Sequence, residues 1–302
     1  MTKNVAHSVR DRLLKLSKER GEEFNFVLVR YGLERLLYRL TQSAHADNFV
    51  LKGAMLFTIW SKHPHRATKD LDLLGFGSPD LTRLADIFRA VCTKGVEDDG
   101  VVFDPKSVSA ERIKEDAEYE GVRVLLTGKL GSAELRLQVD VGFGDAVTPQ
   151  PMMIDFPTLL PGPAPTVRAY PREAVVAEKL HAMVLLGMTN SRMKDFFDLW
   201  FLSREFAFES KPLRGSIRAT FEARGTPIPK TPPTALTEVF ALDPTKQTQW
   251  KAFLSRSRVT EANITLPEVI GVIAPFLLPE LERAATGSII NASWAPGGPW
   301  AT

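Results

Sequence analysis

The sequence predicts an α+β protein in which a lobe built on a mixed sheet is followed by an α-helical lobe. Three observations predict it. Residues 48–76 read strand, helix, strand; residues 121–142 hold two alternating strands; and beyond a proline-rich stretch the apolar spacing is helical throughout.

The N-terminal residues Ser8 to Gly21 and Asn25 to Ser43 have helical spacing, the second with Phe26, Val29, Leu33, Leu36, Leu37 and Leu40 on one stripe. A short strand is expected over Asn48 to Lys52, a helix over Ala54 to Trp60, a buried strand over Leu71 to Phe76 and a helix over Pro79 to Thr93. Lys94 to Glu120 is charged and reads as irregular. Gly121 to Leu126 and Glu134 to Gly142 alternate, the latter with Leu135, Leu137, Val139 and Val141 on one face. Seven prolines between Pro149 and Pro171 mark a connection without periodic pattern. Helices are then expected over Arg172 to Gly187, Asn190 to Arg204, Leu213 to Glu222, Ala235 to Leu242, Lys246 to Ser255 and Leu266 to Ala285. The domain reading is therefore 1–165 for the sheet lobe with its N-terminal helices, 166–285 for the helical lobe, and 286–302 as a tail. Rich in Gly, Pro and small residues, with two tryptophans read as exposed, the tail is expected to be poorly ordered.

The 302 residues are 44% hydrophobic and 25% charged, an ordinary globular composition, and the formal net charge of +2 excludes a global field for nucleic acid. Any such interface must be a local patch. Residues 204–230 offer one, in Arg204, Lys211, Arg214, Arg218, Arg224 and Lys230, although an ordinary helical surface explains them equally well. Cys92 stands alone, so neither an internal disulfide nor a thiolate cluster is expected, in keeping with a reducing cytoplasm and a role in core packing. The charged N-terminus lacks a secretory pattern, and the apolar run Val269 to Leu278 is too short for a span, so a cytoplasmic protein without membrane contact is expected.

The sharpest local feature is Arg66-Ala67-Thr68-Lys69-Asp70-Leu71-Asp72-Leu73-Leu74. Two carboxylates two apart on a strand point to the same face, where their repulsion calls for a cation. Magnesium suits oxygen ligands and is completed by phosphate. Alone, Asp70 and Asp72 are also compatible with a solvated edge strand. Asp140, on the outward face of its own strand, supplies a third carboxylate, and such a set serves two-metal displacement at phosphorus. Upstream, Val50-Leu51-Lys52-Gly53-Ala54-Met55-Leu56 passes from strand to helix across a glycine, where backbone N–H groups and Lys52 can meet a phosphate. In the helical lobe Lys179 interrupts an apolar run and needs a partner. Either Asp195 or Asp198, three apart on one helical face, pairs with it, or it binds triphosphate. Arg192 and Lys194 flank Asp195, on a phosphate or on a solvated face. His7 and His181 lack metal-ligand spacing and are read as surface or core residues.

The order glycine turn, helix, Asp-x-Asp, later Asp resembles the DNA polymerase β-like nucleotidyltransferase superfamily. Four segments resemble one branch of it, the AbiEii/AbiGii toxin family with its MenT-like toxins: 51–56, 66–73, 139–145, and 177–182 continuing to 190–199. The resemblance implies a two-lobed enzyme with the NTP in a cleft between its lobes. Such enzymes transfer a nucleotide from an NTP, in known relatives to the 3′ end of tRNA, as the toxin of a toxin–antitoxin pair. The partners implied are NTP, a tRNA or other RNA acceptor, and a cognate antitoxin of the transcriptional-repressor kind. The cofactor implied is Mg2+, with Mn2+ as an alternative. By position it makes Asp70, Asp72 and Asp140 the catalytic metal ligands and gives Lys179 and Asp195 catalytic roles in the second-lobe motifs; the residues themselves are read as setting Lys52, Gly53, Arg66, Lys179 and Arg192 around the nucleotide. Ala54 departs from the wider superfamily, which has Ser or Gly there. The alternatives are a protein or small-molecule acceptor, or an inactive nucleotide-binding module.

Overall fold

The computed structural model describes residues 5–61, 68–113, 121–257, 259 and 263–302, and the chain divides into two compact units. Of the described residues, the first holds those of 5–61, 68–144 and 152–169, and the second those of 145–151 and 170–302.

Helices α1 (Val5–Arg20) and α2 (Phe24–Thr41) open the first unit, followed by β1 (Phe49–Lys52), a single 3-10 turn at Gly53–Met55 and α3 (Leu56–Trp60). Next come β2 (Asp70–Gly75), α4 (Leu81–Cys92), β3 (Val101–Ile113), β4 (Gly121–Leu130), β5 (Ala133–Gly142), β6 (Met152–Asp155) and β7 (Thr166–Ala169). The seven strands form one mixed sheet in the order β3-β4-β5-β2-β1-β7-β6, with β2 parallel to β5, β1 parallel to β7, and the other neighbours antiparallel. One face is apolar. Leu135, Leu137, Val139 and Val141 of β5 and Val122, Val124 and Leu126 of β4 are all buried. Helix α2 reaches this face closely because Gly32 has no Cβ; one would stand 3.1 Å from Leu135 and Leu137. Asp80 caps α4 by accepting from the Arg83 amide at 2.7 Å. Buried Arg39 of α2 ties the helix to the start of β3, donating to both Asp99 oxygens (2.7 and 3.0 Å) and to the Val101 carbonyl (3.0 Å).

Two expectations fail here. The stretch read as irregular contains the edge strand β3, and the proline-rich connection contains β6 and β7. β3 escaped because Asp104-Pro105-Lys106-Ser107 breaks its alternation, and the pairing with β4 shifts register between Asp104 and Ser109. An edge strand tolerates proline and a bulge where a central strand would not. β6 and β7 have four residues each, too few for period two to declare itself.

The second unit is mainly helical: α5 (Arg172–Leu186), α6 (Met193–Glu205), α7 (Ser210–Ala223), α8 (Glu238–Leu242), α9 (Pro244–Ser257) and α10 (Leu266–Thr286). Phe196 stacks on Phe240 with ring centroids 5.2 Å apart, and Phe197 meets Trp200, Trp250 and Phe253. Thr265 and Glu268 make a capping box at the start of α10. Sequence spacing also missed a small sheet, in which β8 (Phe208–Glu209), β9 (Ser293–Trp294) and β10 (Trp300–Ala301) pair antiparallel. Its last two strands come from the tail expected to be poorly ordered. The indoles hold it there: Trp294, buried, donates to the Ser203 carbonyl at 2.6 Å, and Trp300 donates to the Phe276 carbonyl at 3.0 Å while stacking on the Phe276 ring.

Candidate active site

The sheet's polar face gathers the carboxylates through register. Lys52 pairs with Asp72 across β1 and β2, Asp72 with Asp140 across β2 and β5, and Asp140 with Arg123 across β5 and β4. Four charged residues thus form one row across four strands, and Asp70 lies two residues along β2, opposite Gln138. Side-chain oxygens of Asp70, Asp72 and Asp140 all lie within 4.8 Å of one another, each residue half-buried. These hard oxygen donors suit magnesium, whose bonds of about 2.0–2.1 Å place opposite ligands about 4 Å apart, so the set fits the ion with small adjustment.

Local structure fixes each member. Thr68 donates to Asp70 Oδ1 at 2.8 Å, and the Lys69 amide donates to the same oxygen at 3.1 Å. Gly53 turns the chain from β1 directly over Asp72 at φ +72°; a Cβ there would fall 1.9 Å from Asp72 Oδ2, so only glycine fits. Asp140 is gripped by Arg123, with Nε 2.9 Å from Oδ1 and Nη2 2.8 Å from Oδ2, and Gln138 donates to the same two oxygens at 3.2 and 3.0 Å. Sequence reasoning missed Arg123, Gln138 and Thr68. The alternation Val122, Val124, Leu126 does send Arg123 to the polar face, but only the strand register brings it opposite Asp140. Arg66 lies outside the described residues.

In the second unit Lys179 of α5 meets two buried carboxylates of α6, Asp195 at 2.6 Å and Asp198 at 2.8 Å, while Arg192 holds the other Asp195 oxygen at 2.7 Å. Burial by itself would raise the Asp195 carboxyl; Lys179 and Arg192 outweigh it and hold the group below the usual carboxylate range. The partner that Lys179 was expected to need is therefore Asp195 and Asp198 together. The Arg192 side chain is 43% exposed.

A neighbouring cluster contains Asp145, Glu178, His181, Arg224 and Thr226. Arg224 donates to Asp145 at 2.8 Å and to His181 Nδ1 at 3.1 Å, and His181 Nε2 lies 2.8 Å from the Thr226 hydroxyl. A guanidinium can only donate, so His181 carries its proton on Nε2. Burial, then the Arg224 charge, pushes its pKa down to about 4, and the ring is neutral. His7, exposed, pairs with Asp11 at 3.1 Å. The basic stretch 204–230 is thinner than its sequence suggests. Arg214 is buried against the Ile290 carbonyl and Arg224 is committed to Asp145, leaving Arg204, Lys211, Arg218 and Lys230 exposed.

The family model described as nucleotidyl transferase AbiEii toxin, Type IV toxin–antitoxin system, matches residues 35–281. The chain belongs to the AbiEii nucleotidyltransferase toxin family. Residues 35–281 take in both carboxylate strands of the first unit and the Lys179–Asp195 pair of the second, so an AbiEii enzyme and toxin is the framework for both sites. Two solved Helicobacter pylori structures are similar to this AbiEii chain: one described as that of a candidate nucleotidyltransferase and one of JHP933. The first is 15% identical, covering 84% of this chain and 90% of that one at a TM-score of 0.46; the second is 16% identical, covering 84% and 87% at 0.45. No curated protein matches the chain. Among the described residues no helix is long and apolar enough to cross a membrane.

Proposed function

We propose that this AbiEii chain is a magnesium-dependent enzyme that transfers a nucleotide from an NTP to an RNA hydroxyl, the tRNA 3′ end, as the toxin of its toxin–antitoxin pair. The observation that carries the reading is the convergence of Asp70, Asp72 and Asp140 on one face, their oxygens within 4.8 Å of one another. These three residues would hold magnesium, which when bound assists the attacking hydroxyl and neutralises the departing pyrophosphate. The acceptor hydroxyl gives up its proton to Asp140 as its oxygen forms a bond to the α-phosphorus, the bond between that phosphorus and the bridging oxygen breaks, and pyrophosphate leaves with that electron pair. Thr68 orients Asp70, Gly53 leaves room for Asp72, and Lys52 at the end of β1 offers positive charge to the phosphates. Lys179 and Arg192 are assigned to phosphate binding, with Asp195 positioning both.

The test is incubation of the purified protein with magnesium, each α-labelled NTP in turn and total bacterial RNA, beside Asp72→Ala. Label in a tRNA-sized band for the parent and none for the variant is expected. Label on protein, or none on RNA despite measurable NTP binding, would replace the RNA acceptor. Full activity in Asp72→Ala would remove the carboxylate mechanism.

A further inference from the structure

The carboxylate cluster already carries a cation. Arg123 places a planar fork on both oxygens of Asp140, and the pair is only 32% and 17% exposed, so water screens it partially. Packing does not demand an arginine at this point of β4, because Val122 and Val124 on either side make the core contacts. The polar face therefore sets the three carboxylates against the charges of Lys52 and Arg123, with Glu111 of the edge strand β3 paired beyond Arg123. That leaves an excess of carboxylates, which repels a triphosphate, and a dication removes the repulsion. A dication held by Asp140 also stands beside the guanidinium and repels it.

We propose that Arg123 is a built-in counter-cation of the carboxylate cluster, which the incoming metal ion displaces from Asp140 and which then passes to a phosphate oxyanion of the substrate. This rests on the magnesium reading above. The same fork geometry that fits a carboxylate fits a phosphate, which a lysine ammonium does not reproduce. Metal loading would thereby come before tight phosphate binding, in a fixed order set by one side chain.

The experiment measures Mn2+ affinity of the full chain by paramagnetic resonance for the parent, Arg123→Gln, Arg123→Lys and Asp72→Asn, and then pyrophosphate affinity by calorimetry at saturating Mn2+. Neighbouring charges at this range shift carboxylate equilibria by roughly one to three decades, so Arg123→Gln is expected to bind Mn2+ about tenfold tighter than the parent, the lower end for a partly exposed pair. With Mn2+ bound it should hold pyrophosphate about tenfold more weakly. Arg123→Lys, which keeps the charge and loses the fork, should match the parent for Mn2+ and lose pyrophosphate affinity; it carries the test if the glutamine variant does not fold. Mn2+ affinity in Arg123→Gln equal to or below the parent's, or unchanged pyrophosphate affinity in either variant, overturns the proposal while Asp72→Asn still registers the metal site. A parent that binds no more Mn2+ than Asp72→Asn overturns the magnesium reading itself.

Discussion

At the scale of single residues, the ionisable groups of the interior were the least legible in the sequence. Asp70, Asp72 and Asp140 announce themselves by spacing and strand alternation, whereas nothing in the sequence around Glu34 and Arg35 says that both are buried as an adjacent pair at 2.7 Å. Glu34 also accepts the Leu159 amide at 2.7 Å and so pins the segment before β7 to α2. Burial, only partly offset by Arg35, raises its pKa from 4.5 to about 7. The folded state thus holds this proton more tightly than the unfolded chain. The stabilisation is complete below pH 4.5 and is lost as pH rises through 7, by about 3 kcal/mol for a shift of this size. Denaturant melts of the parent and Glu34→Gln between pH 4.5 and 7 should show that slope in the parent alone. Parallel slopes would mean that Glu34 does not titrate in this window.

Elements follow their sequence signals where these are strong, as in Asp80 capping α4 or the Thr265–Glu268 box opening α10. They depart where context outweighs local pattern. A bulged edge strand with a proline and two four-residue strands left no period to read, and the tail's composition concealed two indole hydrogen bonds that hold it as a hairpin. The turn leaving β1 shows the same limit. Its glycine is legible as a helix start, but only the fold reveals Asp72 against it. Gly53→Ala combines a positive φ with a contact of 1.9 Å, so Asp72 must swing away. Nucleotide transfer should fall by at least about a hundredfold, as expected when a catalytic group is moved by an ångström, while circular dichroism stays that of the parent. Near-normal transfer would show that the turn yields instead.

For the whole molecule, the two units hold opposite proton linkages. Glu34, in the first, contributes stability as pH falls. His181, in the second, is held neutral at about 4, so its contribution is complete above 6.5 and is lost as pH falls toward 4. Each change amounts to about 2 kcal/mol between pH 7 and 5, with opposite sign. Hydrogen exchange of the intact chain, corrected for intrinsic rates, should therefore show protection rising across α2 and the sheet while it falls across α5 and α7. A uniform change would place the controlling groups elsewhere. The division into a sheet lobe and a helical lobe could be read from the change in apolar period, but this opposition could not, since it depends on which titratable groups each core encloses.

The cross-strand row has a further consequence for synthesis of the chain. Its members emerge from the ribosome at positions 52, 72, 123 and 140, and strand pairing brings each opposite the next. A slip of one residue in β5 would turn Asp140 toward the apolar side and present Val139 or Val141 in its place. On the carboxylate mechanism proposed above, a nascent toxin would stay chemically silent until β5 has been made and has locked into register against β2 and β4. The interval before that lock is a grace period for the cell that makes it.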